Sequence, residues 1–260
     1  MPHELRLFLV ALQFLTRVPV PAFAAWQPEW LHQSAKHFPG VGLVIGAFGA
    51  CVLWAASHAF SAGIAVGLSM LATVWLTGAF HEDGLADTFD GLFGHADRAR
   101  ALEIMKDSRL GTYGVIALVG VLGLKAAALH GLAVRDLALV LAALPIAHAS
   151  SRALTVVLLF TLRYAGDAEH AKARPMAQNV GGEAVFVAIA WCGVAALAAA
   201  WAGIAAAPLL AAAVAVAATG VLAARWFVAR LGGYTGDTLG AAQQLSELAA
   251  LLAMLAVISR

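Results

Sequence analysis

Long apolar stretches alternate with short polar breaks along this chain. A helix needs about 20 mostly apolar residues to cross a bilayer. Stretches that meet or approach that length run over 40–60, 63–80, 112–130, 137–162, 184–202, 206–228 and 239–258. The breaks at Ser61-Ala62 and Ile204-Ala205 are short, so each flanking pair is expected as an antiparallel hairpin. The Ala-rich stretch from Ala195 to Ala218 also reads as one long helix, which would lower the count. One polar segment, 81–111, separates the second and third spans. Ahead of the first, Leu5, Phe8, Leu9, Leu12 and Leu15 recur at helical spacing, and Pro19 and Pro21 stop the run. That segment is expected as an amphipathic helix at the interface or packed on the bundle, with an eighth short span as the alternative. The pattern predicts an all-α polytopic transmembrane helix bundle: about seven spans plus an N-terminal amphipathic helix, in a single integral-membrane domain over 1–260. Gly42 and Gly46 form a small-xxx-small pair that suits close helix packing.

Composition agrees with this pattern. The chain is 62% hydrophobic and 12% charged, against about 25% charged in soluble domains. A water-soluble core cannot absorb that much apolar surface, so the lipid bilayer is the expected surrounding. A formal net charge of +1 carries no basic bias and gives no reason to expect nucleic acid. Cys51 and Cys192 lie far apart in apolar runs and match no zinc or disulfide pattern. Glu4 and Arg6 sit in the N-terminal amphipathic stretch with no cleavage site beside them, so no signal peptide is expected. If the N-terminal segment lies inside, Arg6, Arg17, Lys36, Arg98, Arg100, Lys106, Arg109, Arg163, Lys172, Arg174 and Arg230 all fall on the cytoplasmic side. Arg135 and Arg260 fall outside. This asymmetry places segments 81–111, 163–180 and 230–239 together on the cytoplasmic face.

The polar segment opens His-Glu-Asp-Gly-Leu-Ala-Asp-Thr-Phe-Asp, residues 81–90. Asp83, Asp87 and Asp90 stand at i, i+4 and i+7, on one face of a helix. Like charges so close repel unless a cation sits among them. A divalent cation with hard oxygen ligands answers that need, so Glu82, Asp83, Asp87 and Asp90 are expected to hold Mg²⁺ against a phosphate. A solvated juxtamembrane face with a helix cap is the plainer alternative.

Cations follow closely. Lys106 and Arg109 are expected on substrate phosphate, whereas Arg98 and Arg100 read as membrane anchoring. Asp107 would add a ligand or orient Arg109. Within the spans, Arg152 is expected to reach a bound phosphate or a motif carboxylate. Lys125 is either functional or snorkels toward the far face, and His148 reads as a hydrogen-bonded core residue. Late in the chain, Gly232-Gly-Tyr-Thr-Gly-Asp-Thr-Leu-Gly240 opens the last span. Gly-rich turns before a helix can cradle anions. Thr235 and Gly236 are therefore expected at substrate, with Asp237 as a catalytic carboxylate beside Asp83, Asp87 and Asp90. An ordinary interhelical turn is the alternative. Arg17 and Phe38-Pro-Gly-Val-Gly42 are unusual for connectors, and sequence alone assigns them no role.

Together, Phe14-Leu-Thr-Arg-Val-Pro-Val-Pro21, Phe38-Pro-Gly-Val-Gly42, the 80–91 acidic run, Ile104-Met-Lys-Asp-Ser-Arg-Leu-Gly-Thr-Tyr-Gly114 and the 232–241 motif resemble the cobalamin synthase family, the adenosylcobinamide-GDP ribazoletransferases. The resemblance runs from near the N-terminus to the last span, in the family's order. It implies an Mg²⁺-dependent enzyme of the bacterial cytoplasmic (inner) membrane with its active face in the cytoplasm. It further implies adenosylcobinamide-GDP and α-ribazole, or α-ribazole 5′-phosphate, as substrates, and adenosylcobalamin or its phosphate plus GMP as products. A homo-oligomer stays open. CDP-alcohol phosphotransferases also carry acidic residues on membrane helices, but Asp83-Gly84-Leu85-Ala86 followed directly by Asp87 lacks their Ala-Arg element and final spacing. An ion-coupled transporter is a third reading, disfavoured because the acids cluster at a span end.

Overall fold

A computed structural model describes residues 2–20, 27, 29–94, 96–166 and 180–258. Most of the expected 163–180 loop therefore lies outside the described residues, as does Pro21. The chain is built from α1 (His3–Leu15), α2 (Glu29–Ser34), a 3₁₀ turn (Ala35–His37), α3 (Phe38–Ser57), α4 (Ala62–Thr77), α5 (Phe80–Leu92), α6 (Arg98–Met105), α7 (Thr112–Ala133), α8 (Leu137–Thr161), α9 (Gly182–Trp201), α10 (Ala206–Leu231) and α11 (Gly236–Ile258). No strand occurs among the described residues; Tyr164 and Tyr234 form one isolated parallel bridge.

Among the described residues six helical stretches are long and apolar enough to cross a membrane, or seven if the bent pair α4 and α5 counts as one span. This is a multi-pass helical membrane protein. Large apolar side chains face outward along the spans: Val119 and Leu197 are 70% and 73% exposed, as lipid-facing positions require.

The second expected span departs from the prediction. It ends at Thr77, and the chain turns through 88° into α5. Gly78 and Ala79 both take left-handed backbone, φ 68° and 59°, and make this corner. Arg17 lies over it, and its backbone N–H donates to the Leu76 carbonyl at 2.8 Å. Sixteen residues of α4 rise only about 24 Å, against a hydrocarbon core of about 30 Å. The acidic helix therefore starts close to the hydrocarbon boundary and is shielded there by α6, α7 and α11, against which it packs.

The first hairpin, α3 with α4, forms as expected. The second does not: α9 packs on α8 and α3, whereas α10 packs on α11 and α8. Helices α9 and α10 are rich in small and aliphatic residues all round, so their pattern marks no face that would hold one to the other. An apolar groove of about 490 Å³ opens among α8, α9 and α10. The small-xxx-small pair has a clear packing role, since Gly42 and Gly46 lie against the α8 backbone at His148 and Pro145.

Helix α1 is amphipathic but turned from the expected face. Leu7, Val10, Ala11, Leu12 and Leu15 are buried, whereas Leu5 is exposed. The cause is its seat on Trp30 and α3, reinforced by Lys36 Nζ donating to Glu4 at 2.9 Å. That bond holds the Glu4 carboxyl below its ordinary range.

Candidate active site

The site is built where α5 crosses the first turns of α11. A Cβ on Gly84 would stand 2.8 Å from the Asp237 carbonyl oxygen and 3.0 Å from its Cα. A Cβ on Gly240 would meet the His81 carbonyl at 3.2 Å and the Gly84 Cα at 3.4 Å. Two glycines thus face each other across the crossing and bring the helix backbones together. The approach sets Asp237 beside the acidic face of α5. Asp87 lies in the electrostatic field of Asp83, Asp237 and Asp90, and Asp237 in that of Asp83. Among the described residues none of Asp83, Asp87 and Asp237 makes an ion pair.

Asp90 is bound differently. Its two carboxylate oxygens accept the Gly111 and Gly114 N–H groups, each at 2.8 Å. A Cβ on either glycine would collide with that carboxylate. Asp90 therefore caps the N-terminus of α7 from the last turn of α5, satisfying N–H groups that a helix start leaves open. Glu82 points the other way. It is buried, and its Oε1 accepts from Gln244 Nε2 at 2.9 Å.

The cations and the Gly-rich turn occupy specific places. Arg109 is exposed and held by Asp107 through Nε, 3.0 Å from each carboxylate oxygen. These bonds push the Asp107 carboxyl down to about 2, so Asp107 orients Arg109. Lys106 is exposed at the end of α6. Arg98, read as an anchor, stitches loops together, with Nε on the Leu231 carbonyl at 2.8 Å and Nη2 on that of Ala165 at 2.7 Å. Gly232, at φ 79°, ends α10. Gly233 lies so close to the Arg163 carbonyl that no side chain fits. The Thr235 hydroxyl, expected at substrate, is engaged as a helix cap: it accepts from Thr238 N at 3.2 Å while the Thr238 hydroxyl accepts from Thr235 N at 2.8 Å. Gly236 is exposed as the first residue of α11.

Arg152, expected on phosphate, lies instead in a buried polar network. Its Nη1 donates to the His148 carbonyl at 3.0 Å and lies 3.8 Å from Glu247. Lys125 does not snorkel: Nζ donates to Glu247 at 2.7 Å and to Gln244 at 2.8 Å. His148 Nδ1 is 3.0 Å from Glu247, and Gln243 donates to Glu247 at 2.5 Å and to Ser151 at 3.1 Å. Sequence reasoning missed this network. The available signal was Glu247 itself, an acid within a span that requires a cationic partner on another span.

The donor set suits a hard cation, with Asp83, Asp87 and Asp237 offering carboxylate oxygens and no internal counter-charge. Among the described residues no three His, Cys, Asp or Glu side chains converge into a ready-made metal cage. Mg²⁺ commonly takes one or two carboxylates and completes its shell with substrate phosphates and water.

Comparison with known proteins decides the family. Residues 7–255 match the family model described as cobalamin-5-phosphate synthase. The chain belongs to that family. It is 59% identical over 254 residues, 98% of this chain and 96% of the relative, to an adenosylcobinamide-GDP ribazoletransferase of Leptothrix cholodnii. It is 42% identical over 253 residues, 97% of this chain and 96% of the relative, to a protein of the same name from Shewanella amazonensis. No solved structure matches the chain. In this member of the cobalamin-5-phosphate synthase family the acidic motif thus sits on a bent, membrane-boundary helix locked against the last span.

Proposed function

We propose that this chain is an adenosylcobinamide-GDP ribazoletransferase that joins adenosylcobinamide-GDP to α-ribazole, or to its 5′-phosphate, and releases GMP, at the cytoplasmic face of the bacterial inner membrane. The observation that carries the site is the glycine crossing of α5 and α11, which sets Asp237 opposite Asp83 and Asp87. Asp83 and Asp87 would hold Mg²⁺, which when bound neutralises negative charge on the diphosphate. Arg109, held outward by Asp107, and Lys106 meet phosphate oxygens from the adjacent loop. The ribose hydroxyl oxygen of α-ribazole attacks the cobinamide-bearing phosphorus, and the bond to the GMP oxygen breaks. The hydroxyl proton passes to a carboxylate of the α5–α11 pair, for which Asp237, at the helix crossing, is well placed.

The cytoplasmic assignment rests on the charge asymmetry and on the meeting of Gly94, Ala96 and Arg98 with Ala165, Arg230 and Leu231, and of Tyr164 with Tyr234, at the same end of the bundle as α5. The test is turnover by purified protein. Adenosylcobinamide-GDP plus α-ribazole should yield GMP and adenosylcobalamin in stoichiometric amounts, and activity should vanish in Asp83→Asn and Asp237→Asn. Full activity in both variants would remove the reading.

A further inference from the structure

The acidic motif divides between two environments. Asp83 is exposed, whereas the preceding Glu82 is buried among side chains of other helices. Glu82 Oε1 is held by Gln244 of α11. Gln244 also accepts from Lys125 of α7, and Lys125 pairs with Glu247. The other oxygen, Glu82 Oε2, is buried without a partner, and so is Arg152 Nε of α8. Both residues line the same cavity of about 20 Å³, together with Lys125, His148, Gln244 and Glu247. That is room for about one water. An unsatisfied carboxylate oxygen and an unsatisfied guanidinium N–H on one small cavity are the partners such a water needs. Arg152 also lies within the electrostatic field of Glu82.

We propose that Glu82 is a positioning residue: it belongs to the buried network rather than to the metal-binding set, and helps to fix the angle of α5 by tying it to α11 through Gln244 and to α8 through a water shared with Arg152. Asp83 and Asp87 then face Asp237 because their neighbour is anchored behind them. Helix α4 does not fix that angle, since the chain turns through 88° between α4 and α5; the seat of α5 on α6, α7 and α11 does, and Glu82 adds a buried tie to it. The inference rests on the reading of the α5 carboxylates as the reaction site.

The experiment compares Glu82→Gln, the exchanged pair Glu82→Gln/Gln244→Glu, and Asp83→Asn. In Glu82→Gln an amide replaces the carboxylate facing Arg152, and donor meets donor. The exchanged pair keeps the hydrogen bond and the network's charge, and the carboxylate introduced on α11 can still accept from Lys125. Hydrogen exchange across 80–92 should accelerate in Glu82→Gln and recover in the exchanged pair. Turnover should fall by about tenfold or more in the single variant, the scale of losses from groups that orient ligands. It should return in the pair, with the Mg²⁺ concentration for half-maximal rate within about twofold of wild type. Wild-type exchange in Glu82→Gln would overturn the proposal, as would an exchanged pair that fares no better than the single variant, whether unfolded or inactive. Full activity in Asp83→Asn would instead remove the reaction site, while the exchange data would still decide what Glu82 does.

Discussion

Asp90 and Asp83 share one face of α5, yet the same substitution should affect them differently. Asp90→Asn puts an amide against two backbone N–H donors that now reach a carboxylate. One bond is lost, costing about 1–3 kcal/mol, so a lower thermal midpoint in detergent is expected. Asp83→Asn touches no such bond and should abolish turnover while leaving the midpoint within error. The spacing of these carboxylates was legible in sequence, because i, i+4 and i+7 define a face wherever a helix forms. Their division of labour was not. Which acid meets a helix start, a buried glutamine or open space depends on the neighbouring helices. Arg152 shows the same limit: sequence required a polar partner for it, and only the packing of α8 on α11 chose Glu247.

At the scale of elements, the α5–α11 crossing is the most sensitive joint. Gly84→Ala puts a methyl group 2.8 Å from the Asp237 carbonyl, a contact that only backbone movement relieves. Turnover should fall by about a hundredfold, since small misplacements of reacting groups carry costs of that order, with the helical circular dichroism unchanged. Gly67→Ala is the control, because a Cβ there meets nothing within 4 Å. Most spans were legible from apolar length. The corner at Gly78-Ala79 was not, since Ala carries no signal for a left-handed conformation. The splaying of α9 from α10 was hidden for a related reason: short breaks predict hairpins, but helices rich in small and aliphatic residues all round do not say which neighbour each will choose.

Across the whole molecule, the buried network joins α5, α7, α8 and α11 beneath the acidic helix. Lys125→Met should cost about 3–5 kcal/mol, because it removes the shortest ion pair of Glu247 and leaves two buried carboxylates, Glu82 and Glu247, with one guanidinium between them. Lys125→Met/Glu247→Gln should recover much of that loss in the same thermal unfolding assay. Topology is testable at Ser108, which is exposed in the loop before α7. On a background lacking Cys51 and Cys192, Ser108→Cys should resist an impermeant maleimide in intact cells and react in inverted vesicles. The measurement that bears most directly on the account is metal-dependent turnover in detergent. Purified protein stripped with EDTA and given adenosylcobinamide-GDP and α-ribazole should be inactive. Added Mg²⁺ should restore GMP release in the wild type but not in Asp83→Asn. Undiminished GMP release without any divalent cation, or Mg²⁺-restored release in Asp83→Asn equal to wild type, would contradict the site at the α5–α11 crossing.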